Sequence, residues 1–220
     1  RISIENINSF RYLIIPITVL IGPIILVATQ PDLGTSILIA AGGLVVAWLA
    51  GVRAKFFIYS GISMIALLPI AISLLKPYQK SRILTFLNPE RDPLGAGYQI
   101  IQSKIAIGSG GLFGKGFLNG SQSYLDYLPE KHTDFIYTLF SEEFGFFGSF
   151  FILSLYALIT YRIIRIGNLT RSNFGKLYCY GFATAFFIYV VVNMMMVLGL
   201  LPIVGSPLPI MSYGGSSMMA

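Results

Sequence analysis

Five apolar stretches, residues 12–28, 35–52, 56–75, 144–161 and 178–200, dominate this 220-residue chain. Each approaches the roughly 20 residues that cross the hydrocarbon core of a bilayer. Hydrocarbon offers no partner to backbone N–H and C=O groups, so segments embedded in it must satisfy them internally, as helices. The expected fold class is therefore all-α, a polytopic transmembrane helical bundle, with one large loop over residues 76–133. Only 11% of residues are charged, against roughly 25% in a soluble domain. Pro16, Pro23 and Pro69 fall inside spans and predict kinks, which neighbouring helices can tolerate by covering the freed carbonyls.

The net charge of +6 does not form one basic patch of the kind that binds nucleic acid. Instead the basic residues flank the apolar stretches. Arg1 and Arg11 precede the first, Arg53 and Lys55 separate the second from the third, and Arg162, Arg165, Arg171 and Lys176 separate the fourth from the fifth. These segments alternate onto one side, which the excess of positive charge marks as cytoplasmic. Every acidic residue except Glu5 then falls outside, together with the large loop. That loop also carries Lys76, Lys80, Arg82, Arg91, Lys104, Lys115 and Lys131, but long loops cross regardless of charge. Cys179 is the only cysteine; it can form no disulfide within the chain and reads as a small buried apolar residue. The chain opens on Arg1 without a signal-peptide pattern and closes where another apolar helix begins, so it is expected to be a piece of a longer protein.

The loop is neither repetitive nor polar throughout. Residues 78–88 and 98–107 have amphipathic patterns suited to the membrane interface. In the second, Tyr98, Ile101 and Ile105 are expected to form one stripe, away from Gln99 and Gln102. Between the two pieces, residues 88–95 carry a double-turn signal built on Pro89, Pro93 and Gly95. A glycine-rich run follows at 108–116. It is not a nucleotide-binding P-loop, because Gly116 stands where Ser or Thr must follow Lys115. Two readings stay open: backbone that approaches other segments closely, or a backbone-and-lysine site for an anionic lipid head group.

Residues 127–137 run from polar loop straight into a membrane helix. Thr133 or Asp134 can serve as its N-cap, where the helix dipole favours a carboxylate. Glu142 and Glu143 lie about two turns further along, and ionisable groups at membrane depth usually face a polar cavity. A carboxylate there, among Lys115, Lys131 and Arg82, can act as a general base. His132 has no second histidine to make a zinc site with it. Asp32 reads as the cap of the second span, and Asn193 as an interhelical hydrogen-bonding residue. Residues 201–210 hold three prolines and cannot form a regular helix, so they are expected to re-enter the membrane against other helices.

These segments resemble the shape, elongation, division and sporulation family of bacterial membrane proteins, its rod-shape branch above all. The resemblance rests on six stretches in order: 30–36 (QPDLGTS), 92–98 (DPLGAGY), 102–111 (QSKIAIGSGG), 114–116 (GKG), 128–135 (LPEKHTDF) and 207–217 (PLP through SYGGSS). It implies a ten-span glycosyltransferase of the bacterial cytoplasmic (inner) membrane that polymerises lipid II into peptidoglycan on the outer face. This chain would then supply spans five to nine and the start of the tenth. The family's essential aspartate falls on Asp134, within a motif that also contains Glu130 and His132.

In that chemistry an acceptor 4-hydroxyl attacks the anomeric carbon of a donor, and a polyprenyl pyrophosphate leaves. Asp134 is the expected base. Lys115 is the first choice for the pyrophosphate, with Arg82, Lys104 and Lys131 behind it and Glu130 and His132 beside the substrate. Mg²⁺ or another divalent cation can share that role, with no ligand set legible. The usual partner implied is a class B penicillin-binding protein. Two alternatives remain open, a lipid II flippase and a non-catalytic scaffold for that partner.

Overall fold

The computed structural model describes residues 10–30, 32–74, 76–92, 95–121 and 132–213. Every described element is helical: α1 (Phe10–Thr29), α2 (Leu33–Leu49), α3 (Ala54–Leu74), α4 (Pro77–Leu87), a 3-10 turn at Pro89–Arg91, α5 (Ala96–Gly110), α6 (Ile136–Leu169) and α7 (Asn173–Val197). α6 and α7 are long and apolar enough to cross a membrane, and α1, α2 and α3 contain shorter apolar helices. All five apolar stretches thus fall on helices. α6 begins eight residues before its expected span at Phe144 and ends eight beyond Tyr161. The extra turns carry Glu142 and Glu143 at one end and Arg162 and Arg165 at the other, charges that end an apolar stretch without ending a helix.

The chain divides into two compact units. The first comprises Arg1–Lys80 and Ile163–Ala185. Here Asp32 caps α2, its carboxylate accepting from the Thr35 backbone N–H at 3.0 Å and the Thr35 hydroxyl at 2.6 Å. The local reading of Asp32 as a cap therefore holds. Gly43 lets α2 approach α1, since a Cβ there would collide with the side chain of Leu20. Gly167 likewise sits beneath Cys179 and Tyr180. The Tyr180 hydroxyl donates to Asn168, and Lys176 lies 5.9 Å from the Tyr180 ring centre.

The second unit comprises Ser81–Arg162 and Phe186–Ala220. Its core joins Phe135, Tyr137, Tyr156, Phe186, Val190, Met196, Val197 and Leu208. Burying large apolar and aromatic side chains of this kind contributes about 1.5–3 kcal/mol each against exposure to water. Both amphipathic pieces of the large loop are helices, α4 and α5. Asp92 starts α5 by accepting from the Ala96 N–H at 3.0 Å.

The inner face of α5 is a second one, beside the expected stripe. Its buried residues are Gly97, Ile100, Ser103, Ala106 and Gly110, while Ile105 stays 48% exposed. Small residues win the inner face because other backbone closes on it: a Cβ at Gly97 would strike the Pro89 carbonyl oxygen, and one at Gly110 that of Ser141. Ser103 completes the face, its hydroxyl donating to the Val197 carbonyl at 2.7 Å and lying 2.8 Å from the Thr138 hydroxyl. On α6, Phe146, Phe147, Phe150 and Phe151 are exposed, a pattern suited to lipid contact on a membrane helix.

Candidate active site

Asp134 lies in the turn His132–Phe135 that leads into α6. Phe135 is fully buried in the core and anchors this turn from below. Backbone of the segment 205–213 runs alongside, held by three neutral side chains. The Asn193 amide, on α7, donates to the Asp134 carbonyl at 2.9 Å and the Ser206 carbonyl at 2.6 Å. The Ser212 hydroxyl donates to the Thr133 carbonyl at 2.7 Å and accepts from the Leu208 N–H at 2.7 Å. The Tyr156 hydroxyl donates to the Pro209 carbonyl at 2.6 Å. Finally the Tyr213 N–H donates to the His132 carbonyl at 2.9 Å.

This stitching explains how an irregular, proline-rich segment can pack among membrane helices: its backbone groups find partners in protein. It also places the Asp134 carboxylate beside Gly205, one oxygen lying 3.6 Å from where a Cβ of Gly205 would sit. Gly205 has φ +70°, a conformation in which side chains are strained. A cavity of about 490 Å³ opens here, lined by His132, Ile136, Ile210, Met211, Ser212 and Tyr213. Asp134 is half-buried and His132 exposed, and the turn borders this cavity through His132.

The glycine-rich run serves a different part of α6. The helix breaks at Gly145, which has φ +65° and ψ −159°. In an unbroken helix Phe146 and Phe147 would donate to Glu142 and Glu143, four residues back. Instead they donate to the carbonyls of Gly111 (2.9 Å) and Leu112 (3.2 Å). The carbonyls of Glu142 and Glu143 in turn accept from Lys115 and Gly116, each at 3.0 Å. Two backbone bonds of the helix are thus exchanged for four to the loop. Glycine is required on both sides, because a Cβ at Gly114 would strike the Glu143 carbonyl and one at Gly145 the backbone of Leu112 and Gly114. The close-approach reading of the run describes this geometry.

The exchange also seats Lys115. Its ammonium bonds the carboxylate of Glu142 at 2.7 Å and the Ser121 hydroxyl at 2.9 Å, and Ser121 donates to the same carboxylate oxygen at 3.1 Å. The Glu142 side chain has 0% accessibility and the Lys115 side chain 30%. Of the other expected cations, Lys104 is exposed on α5 with its stem over Gly199, just past the end of α7, where a positive charge complements the helix dipole. Arg82 is exposed on α4. Glu130 and Lys131 lie outside the described residues. Asn193, Ser212 and Tyr156 were not foreseen as supports of Asp134; an asparagine inside an apolar span was the one legible signal among them.

Residues 3–220 match the sequence profile of the cell cycle protein family that groups FtsW, RodA and SpoVE. Over 206 residues the chain is 48% identical to the peptidoglycan glycosyltransferase MrdB of Escherichia coli K12, covering 93% of this chain and 56% of that relative. A chain from a peptidoglycan synthase complex that coordinates polymerization and crosslinking has the same fold, with TM-score 0.76 and 34% identity over 96% of this chain and 58% of that one. The rod shape determining protein RodA of Thermus thermophilus follows with TM-score 0.61 and 25% identity, over 98% and 55% respectively. The chain therefore spans a little over half the length of these relatives, and its fold is part of a polytopic helical membrane protein.

Proposed function

Because this chain belongs to the cell cycle protein family of FtsW, RodA and SpoVE, we propose that it carries the catalytic side of a peptidoglycan glycosyltransferase. The substrate is lipid II, and the product is a glycan strand made during cell elongation. The 4-hydroxyl of the acceptor sugar attacks the anomeric carbon of the donor. A new C–O bond forms as the bond to the polyprenyl pyrophosphate breaks, and the hydroxyl proton passes to Asp134. An α-linked donor yields a β-linked product in this single displacement.

One observation supports the reading: the turn that carries Asp134, held through its backbone by Asn193 and Ser212, also contributes His132 to the lining of a cavity. A carboxylate on an anchored turn next to a ligand-sized space suits a general base. Lys115, Lys104, Arg82 and Lys131 supply positive charge for the leaving group, while Glu130 and His132 flank the sugars. The described residues bring together no group of three ligand-bearing side chains. A divalent cation such as Mg²⁺ would add positive charge beside the leaving pyrophosphate, and no step of the transfer runs through it. The positive-inside pattern puts the loop and Asp134 on the outer face of the cytoplasmic membrane. A class B penicillin-binding protein crosslinks the strands as the partner. The glycosyltransferase activity of the Escherichia coli relative supports the substrate, and the coordination of polymerization and crosslinking in the synthase complex supports the partner.

The test is polymerisation of lipid II by the purified full-length protein with its penicillin-binding partner and Mg²⁺. Asp134→Asn is expected to lower the rate by at least about 10²-fold, the usual contribution of a general base, while the protein stays in the membrane. Equal polymer from both proteins would remove Asp134 from the mechanism. No polymer from either would return the flippase and scaffold readings.

A further inference from the structure

The transfer described above makes no use of Glu142, although a carboxylate with no accessible surface inside a membrane helix is an unusual group to retain. Its surroundings show how it is kept. Glu142 holds Lys115 twice, its carbonyl accepting from the Lys115 backbone N–H at 3.0 Å and its carboxylate from the ammonium at 2.7 Å. Ser121 closes the triangle. Two of the three ammonium N–H groups are therefore assigned, which leaves the third for a further acceptor, and the side chain as a whole keeps 30% of its surface accessible.

We propose that Glu142 is a positioning residue, which holds the Lys115 ammonium so that its remaining N–H meets the departing pyrophosphate of the lipid donor. This rests on the glycosyltransferase reading. A free lysine is a compact charge on a flexible four-carbon stem, and ordering that stem at the moment of reaction opposes binding. Held in advance by a buried partner, Lys115 meets the developing charge with that ordering already done. The helix break sets the register, because the same loop that inserts its backbone at Glu142 and Glu143 carries Lys115 to the carboxylate. Kinases use a comparable arrangement, in which a glutamate holds the lysine that binds phosphate.

A purely structural clamp would also need the pair, so the experiment separates the two roles. In the full-length protein with its partner, kcat and KM for lipid II are measured alongside the melting temperature. The variants are Glu142→Gln, Glu142→Asp, Lys115→Met and the double Lys115→Met/Glu142→Gln. Removing one member leaves a buried charge unpaired, whereas removing both leaves none. The double variant is therefore expected to melt near the wild type yet to remain roughly 10²-fold slow in kcat with little change in KM. Glu142→Asp recovers part of the rate lost in Glu142→Gln. Inhibition by added undecaprenyl pyrophosphate weakens about tenfold in the double variant, an effect of one lost charged contact.

Wild-type kcat and unchanged inhibition in the double variant would overturn the proposal and leave the pair as a clamp alone. A wild-type protein that makes no polymer would overturn it together with the glycosyltransferase reading. The two failures are told apart by the wild-type sample.

Discussion

Two irregular pieces of backbone lie against α6, and they are fastened by opposite chemistry. Near its first turn, the segment 205–213 is stitched to the Asp134 turn by the neutral groups of Asn193, Ser212 and Tyr156. About two turns further on, the glycine loop is fastened by four backbone bonds and one buried ion pair. The neutral stitching acts on backbone carbonyls of the turn and the segment, whereas the ionic fastening acts on a side chain and commits a cation in advance.

The largest effect is expected in the loop. Gly114→Ala places a Cβ against the Glu143 carbonyl at a residue with φ +81°. Left-handed strain and overpacking together should cost on the order of 4 kcal/mol, read as loss of monodisperse protein in detergent and a steep fall in melting temperature. A melting temperature equal to the wild type would mean that the loop does not occupy the break. Next comes Asn193→Ala, which strands the buried carbonyls of Asp134 and Ser206 and should cost about 3 kcal/mol. Because Asn193 holds the turn that carries Asp134, lipid II polymerisation should fall even at temperatures where the variant is fully folded. Full activity there would detach Asn193 from the active site. Tyr156→Phe removes one neutral hydrogen bond and should cost only about 1 kcal/mol. A loss as large as that of Asn193→Ala would show that Pro209, not Asp134, is the point the stitching protects.

Hydropathy made the helices legible because a bilayer admits few other structures. Asp134 was legible too, as a carboxylate where polar loop turns into apolar helix. The break in α6 was not, since Gly145 sits in a phenylalanine-rich run that reads as continuous helix, and its consequence depends on residues some thirty positions earlier. The inner face of α5 was not read from the sequence, for a related reason. Large apolar side chains dominate a periodicity argument, whereas Gly97, Ser103, Ala106 and Gly110 are buried because backbone approaches them. Lys115 was picked out as a cation near these carboxylates, but its pairing with Glu142 follows from the helix break, which spacing along the chain does not reveal.

Membrane helices are usually pictured as entering the bilayer one at a time, each carrying its own hydrogen bonds. α6 cannot do so. Around Gly145 it leaves two carbonyls and two N–H groups whose partners all lie in residues 111–116, and each such group unmet in lipid costs several kcal/mol. The loop precedes the helix in the chain, so during synthesis it emerges first and is available when the helix follows. Biogenesis then becomes a matter of order: a chain cut between residues 116 and 136 would deliver α6 to the membrane as an unfinished helix, able to settle only when the severed loop found it again.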